Sequence, residues 1–129
     1  MSASILVIDD EADVALLFRQ CFRRELREGA YVLHFASSGE GALDLLGNQV
    51  EPRLIAILSD INMPGMDGLT LLGEVKQRFP DLPVMMVTAY DDEARKRRAS
   101  DLGASQFLAK PVDFNHLRAQ LRLLADAAD

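Results

Sequence analysis

The chain is poor in sulfur nucleophiles, in imidazole and in positive charge: one cysteine, Cys21, two histidines, and 14 Lys plus Arg against 20 Asp plus Glu, for a net charge of −6. A single thiol excludes an intrachain disulfide and any multi-cysteine metal centre, and it favours a reducing compartment, so a cytoplasmic location is expected. The negative balance has the wrong sign for whole-domain attraction to nucleic acid, and no direct nucleic-acid binding is expected. Long apolar runs are also missing. None reaches the roughly 18 residues of a membrane span, and Met1-Ser2-Ala3-Ser4 lacks the basic start of a secretory signal, so no membrane role is expected. Low-complexity tracts and linkers are lacking too, and 129 residues leave room for one core of ordinary size, which predicts one domain over residues 1–129.

What the chain does have is a regular alternation of two patterns. Ile5-Leu6-Val7-Ile8 is short, continuous and apolar, as expected of a strand covered on both faces of a parallel sheet, and it ends at Asp9-Asp10. From Ala12 to about Glu28, Val14, Leu17, Phe18, Cys21, Phe22 and Leu26 recur at helical spacing, and Gly29 suits the stop. Tyr31 to Phe35 reads as the second strand, Ser38 as the cap of a helix through Leu46, and Leu54 to Leu58 as the third strand. After the turn-rich Pro64-Gly65-Met66-Asp67-Gly68, a third helix runs to Pro80. Val84 to Val87 is a fourth strand stopping at Thr88, and Asp91 to Leu102 a fourth helix closed by Gly103. Ser105 to Leu108 is a fifth strand, and Asp113 caps a fifth helix to about Asp126. Five strand–helix units predict an α/β fold, a doubly wound parallel sheet with helices on both faces and the functional site beyond the carboxyl ends of the strands.

Those ends carry chemistry. The first strand ends in Asp9-Asp10, the third in Asp60, the fourth in Thr88 and the fifth, after Ala109, in Lys110. Three carboxylates on one rim repel one another by several kcal/mol per pair, on the order of 4 kcal/mol at contact distance even near a surface, and so call for a cation. Oxygen ligands without nearby His or Cys favour a hard ion, Mg²⁺ before Ca²⁺. A divalent ion, an amine and a hydroxyl around one carboxylate suit a phosphoryl group, with Asp60 as nucleophile and Lys110 and Thr88 holding the incoming oxygens.

Asp9-Asp10, the run Ile57-Leu58-Ser59-Asp60-Ile61-Asn62-Met63-Pro64-Gly65-Met66-Asp67-Gly68, Val87-Thr88-Ala89 and Gly103-Ala104-Ser105-Gln106-Phe107-Leu108-Ala109-Lys110-Pro111 together resemble the receiver domain of bacterial two-component response regulators. The match runs in order over nearly the whole chain. The resemblance implies a five-stranded sheet of order 2-1-3-4-5 with five helices. Asp60 matches the phosphoacceptor and Asp10 a direct Mg²⁺ ligand, with Mn²⁺ as a substitute ion. Asp9 matches an acidic neighbour acting through metal-bound water, and Asn62 a backbone-carbonyl ligand. Thr88 matches the switch hydroxyl, Lys110 the phosphate-binding lysine and Phe107 the switch aromatic. A cis bond is implied between Lys110 and Pro111. Asn62 and Tyr90, two residues after Asp60 and Thr88, are expected to gate water at the acyl phosphate. The implied donor is a sensor histidine kinase or a phosphotransfer protein, and the implied output surface, a candidate homodimer face, is formed by the fourth helix, fifth strand and fifth helix. Because residue 107 is Phe, its inward rotamer has no hydrogen bond to gain and is rewarded by packing alone.

Plainer readings stand beside these. Asp60 alone reads as an Asx-turn, Asp9 to Glu11 as acids at a helix N-terminus, Thr88 as a cap, Lys110 as a loop lysine and Phe107 as core. Their coincidence at successive strand ends favours the site. His34, His116 and Cys21 read as structural, and Arg95-Lys96-Arg97-Arg98 as a solvated face before a nucleic-acid patch or a partner surface. A phosphohydrolase with an Asp nucleophile is disfavoured because Asn62 stands where such enzymes place their second acid. A pseudo-receiver that only makes protein contacts is disfavoured by the intact Asp10, Asp60, Thr88 and Lys110.

Overall fold

The computed structural model describes residues 2–48, 50–88 and 93–128. Its elements are β1 (Ala3–Ile8), α1 (Ala12–Cys21), α2 (Arg23–Arg27), β2 (Tyr31–Ala36), α3 (Gly39–Gly47), β3 (Leu54–Asp60), α4 (Gly68–Arg78), β4 (Val84–Thr88), α5 (Glu93–Asp101), β5 (Gln106–Ala109) and α6 (Phe114–Ala128). The strands form one parallel sheet in the order β2-β1-β3-β4-β5, the doubly wound arrangement expected.

Strand periodicity assigns the core. Ile5 and Val7, Ala56 and Leu58, and Met85 and Val87 face one side, where they pack with Phe18, Phe22, Leu117 and Leu121 of the α1–α2–α6 flank. Leu6 and Ile8, Ile57, and Val84 and Met86 face the other, against Ala42, Leu71, Leu72, Val75 and Ala99 of the α3–α4–α5 flank. Both faces are therefore apolar, which is why the strands read as continuous runs instead of alternating ones.

The predicted first helix is two pieces, a correction that raises the count of helices from five to six. At Phe22 the backbone leaves helical geometry (φ −103°, ψ 18°), although its N–H still bonds Phe18 O at 2.9 Å. The ring is fully buried and meets Phe18, Tyr31 and Phe114 with centroids 6.0–6.2 Å away. The break occurs where this large ring is seated in the core, a demand invisible to helical periodicity, which α2 continues. The predicted glycine stops hold: Gly29 and Gly103 have φ of +73° and +103°, and the following N–H groups, of Ala30 and Ala104, reach back to Glu25 O and Ala99 O. The third strand runs two residues further than expected, so Asp60 lies inside the ladder, paired with Val87. For the fourth helix, Asp91 and Asp92 lie outside the described residues. Ser38 and Asp113 cap as anticipated, accepting from Gly41 N and from Asn115 and His116 N.

Asp67 caps α4: its Oδ1 accepts from Thr70 N at 2.8 Å. That bond, outweighing partial burial and helped by the Thr70 hydroxyl and the Arg95 charge, holds the carboxyl below its usual range. A carboxyl depressed in the folded state stabilises above its unfolded pKa, and the contribution is lost as pH falls through the folded value. Asp67→Ala should therefore cost about 1 kcal/mol near neutral pH. In urea titrations the gap from wild type should shrink once the pH drops below the usual carboxylate value of about 4; a gap unchanged down to pH 2 would show that the charge plays no part.

Candidate active site

Parallel register brings residues about a hundred positions apart to one edge. Asp9 follows β1, with its N–H bonded to Ala36 O at 3.1 Å. Asp60 closes β3, Thr88 closes β4, and Lys110 follows β5, where its N–H bonds Thr88 O at 2.9 Å. The Lys110 Nζ donates to Asp60 Oδ2 at 2.9 Å and lies 3.7 Å from Asp9 Oδ2. Asn62 N donates to the other oxygen, Oδ1, of Asp60 at 3.2 Å. Asp60 is 5% exposed, so these contacts hold an anion that water reaches poorly. One carboxylate oxygen each from Asp9, Asp10 and Asp60 lie within 4.8 Å of one another, with Asp10 the exposed member.

The electrostatics follow from this crowding. Burial raises the Asp9 carboxyl above its usual value; the Glu11 N–H at 2.9 Å and the Lys110 charge oppose this, while the Asp60 charge adds to it. Burial alone would lower the Lys110 ammonium, but its hydrogen bond to Asp60 and the charges of Asp60, Asp9 and Glu11 together raise it. Lys110 therefore stays charged beside the Asp60 carboxylate. The cluster is an oxygen-only donor set at a strand edge, half in contact with solvent, and such a set fits a hard divalent cation that keeps some of its waters.

Of the anticipated residues, Asp9, Asp10, Asp60 and Lys110 converge. Thr88 is buried at the adjacent strand end. Phe107 is half-buried against the core on the α5 side, one strand over from Met86, with which it pairs. The bond between Lys110 and Pro111 is cis, as implied. Tyr90 lies outside the described residues. His34 bonds Ser4 Oγ within the sheet at 3.1 Å, and Cys21 is a partly buried helix residue, in line with structural roles. Arg95 is exposed on the basic face of α5, but its guanidinium bonds Asn62 Oδ1, a contact that composition had hidden inside a charge run.

A close approach of backbone lies beneath Asp60. Gly68 starts α4 directly against the end of β3, with its N–H bonded to Ile61 O at 2.8 Å. A Cβ there would sit 2.2 Å from Asp60 O and 2.7 Å from Ile61 Cα, both rigid backbone atoms. Gly68→Ala should thus destabilise by roughly 1–3 kcal/mol and shift the Asp60 amide resonance. Wild-type stability with an unmoved amide would refute the tight packing.

Comparison with known proteins agrees with this geometry. The family model described as response regulator receiver domain matches residues 5–122. Response regulator MprA of Mycobacterium sp. (strain KMS) is 35% identical over 124 residues, covering 96% of this chain and 51% of the relative. Response regulator protein FleR of Pseudomonas aeruginosa is 38% identical over 125 residues, covering 97% of this chain and 24% of that protein. The chain thus spans about half the length of the first and a quarter of the second. The signal receiver domain of an HD domain-containing protein from Pseudomonas fluorescens Pf-5 superposes with a TM-score of 0.85 at 27% identity, over 98% of this chain and 97% of that one.

Proposed function

This chain belongs to the response regulator receiver domain family, the phosphorylation-dependent switch of two-component signalling, and from that premise we propose that Asp60 is its phosphoacceptor within a single receiver domain over residues 1–129. The observation that carries the reading is the Asp60 carboxylate held by Lys110 Nζ at 2.9 Å beside the Asp9 and Asp10 carboxylates. Lys110 neutralises part of the charge that an incoming phosphoryl group meets. Asn62 N–H, bonded to Oδ1, orients the carboxylate. Asp9, Asp10, Asp60 and the backbone carbonyl of Asn62 would hold Mg²⁺, with Mn²⁺ able to replace it. When bound, the ion supplies positive charge that offsets repulsion between the carboxylate and the phosphoryl oxygens.

In this reading the donor is a phosphohistidine on a sensor kinase or phosphotransfer protein. An apolar hollow beside Asp60, lined by Val14, Leu17, Phe18, Pro111 and Phe114, with Leu17 47% exposed, gives such a partner a surface next to Lys110. The domain promotes only its own phosphorylation and dephosphorylation, in the cytoplasm; no described helix is long and apolar enough to cross a membrane. Asn62 has no acidic proton for turnover of small phosphoesters, which speaks against a phosphohydrolase.

The readout lies on the opposite sheet face. A phosphoryl oxygen on Asp60 attracts the Thr88 hydroxyl, and the backbone follows. Phe107 then packs inward without any hydrogen bond of its own, and the surface of α5, β5 and α6 changes its affinity for a partner or a second copy. Asn62, whose N–H bonds Asp60 Oδ1, is placed to influence how water reaches phosphorus.

Incubation with acetyl phosphate and Mg²⁺ should add one labile phosphoryl group by intact mass, abolished by Asp60→Asn and suppressed by EDTA. Lys110→Ala should impair labelling while leaving Mg²⁺ affinity close to wild type, since an ammonium does not ligate a metal. The same labile mass on Asp60→Asn protein would remove Asp60 as acceptor, and labelling indifferent to EDTA would remove the metal.

A further inference from the structure

Arg95, in the basic run on α5, makes a contact with another part of the fold. Its guanidinium donates to Asn62 Oδ1, and its charge also acts on Asp67, the cap of α4. Asn62 in turn is tied through its backbone N–H to Asp60 Oδ1 at 3.2 Å. Arg95, Asn62, Met63, Pro64, Gly65 and Asp67 line a shallow open hollow of about 450 Å³ at the edge of the acceptor loop. A chain of two contacts thus runs from the acceptor carboxylate to the first turn of α5.

The chemistry of Asn62 gives this chain a consequence. A carboxamide offers one acceptor oxygen and one NH₂ donor. In hydrolysis of an aspartyl phosphate, water oxygen bonds to phosphorus, the bond between phosphorus and the Asp60 oxygen breaks, its electron pair returns to the carboxylate, and the water gives up a proton. An acceptor beside the acyl phosphate helps to orient that water, whose proton passes to a phosphoryl oxygen or to solvent. Asn62 Oδ1 is such an acceptor, and here a cation occupies it. Resting on the phosphoacceptor reading above, we infer that Arg95 is a positioning residue that lengthens the life of phospho-Asp60 by engaging Asn62 Oδ1 and withholding it from the attacking water.

The inference requires that Arg95 act through Asn62, and a double-mutant cycle isolates that requirement. Wild type, Arg95→Ala, Arg95→Lys, Asn62→Ala and the double variant are phosphorylated with radiolabelled acetyl phosphate and Mg²⁺. After the donor is removed, loss of label is followed. Arg95→Ala should lose phosphate at least threefold faster than wild type, and Arg95→Lys, which keeps a cationic donor, should lie between them. In the Asn62→Ala background, Arg95→Ala should change nothing. Arg97→Ala, at an exposed position on the same helix, serves as a control that should match wild type.

A second readout needs no phosphoryl group. In NMR spectra of the unphosphorylated protein, the Asn62 side-chain NH₂ resonances should move in Arg95→Ala and Arg95→Lys, while the amides of the sheet stay in place and report an intact fold. Decay of Arg95→Ala within threefold of wild type, an acceleration that persists without the Asn62 side chain, or unmoved NH₂ resonances would each overturn the role of Arg95 and leave the acceptor assignment standing. Failure of the wild-type protein to take up label would overturn the acceptor assignment itself.

Discussion

The contact between Lys110 and Asp60 is the interaction around which the rest is arranged. A carboxylate only 5% exposed at the end of a central strand is an expensive anion, and a single amine 2.9 Å away, with one backbone N–H on its other oxygen, keeps it in place. That amine arrives from a strand two places away in the sheet. The order β1-β3-β4-β5 and the register pairing Asp60 with Val87 and Thr88 with Ala109 are therefore conditions for the site. Removing the amine would leave three crowded carboxylates without the cation that meets two of them, whereas removing any one carboxylate relieves crowding. The site is thus asymmetric in what it tolerates.

The sheet also divides the labour. Asp60 shares strand parity with Ala56 and Leu58, whose side chains pack on the α1–α6 side. Thr88 shares parity with Val84 and Met86, and Phe107 packs on the same α5 side. Asp60 and Thr88 are on opposite faces, one strand apart, and the backbone bond from Ile61 N to Val87 O joins their strands where they end. An event at the carboxylate does not have to travel through the core to be felt on the other face.

Much of this was legible in the chain before any coordinates. Four of the five strands are mainly apolar runs with a polar residue at or just past the carboxyl end, and those residues, Asp9, Asp60, Thr88 and Lys110, stand at one edge of the sheet. A parallel α/β sheet collects strand ends on one edge, so linear order suffices to predict the meeting. The break at Phe22 was not legible, because its ring belongs to the same helical stripe as Cys21 and Leu26, and only the aromatic neighbours Phe18, Tyr31 and Phe114 reveal where the backbone bends. The contact between Arg95 and Asn62 was hidden for another reason. Arg95 stands beside Lys96, Arg97 and Arg98 with nothing in composition to single it out, and its partner is 33 positions away on a loop without periodicity.

The two flanks of the sheet are not equally well fastened. On one, α6 sends Leu117 and Leu121 into the core and is tied to α2 by Arg118, whose Nε meets Glu25 Oε2 at 2.6 Å. On the other, α5 is a strongly polar helix whose one buried residue is Ala99. Lifting the side chain of an alanine out of a core forfeits well under the roughly 1.5–3 kcal/mol that a buried leucine represents. By burial of apolar side chains alone, α5 is therefore seated less deeply than α6. The less deeply seated of these two helices lies over the face that carries Thr88 and Phe107, so small energies at the strand ends act where the flank has less to resist them.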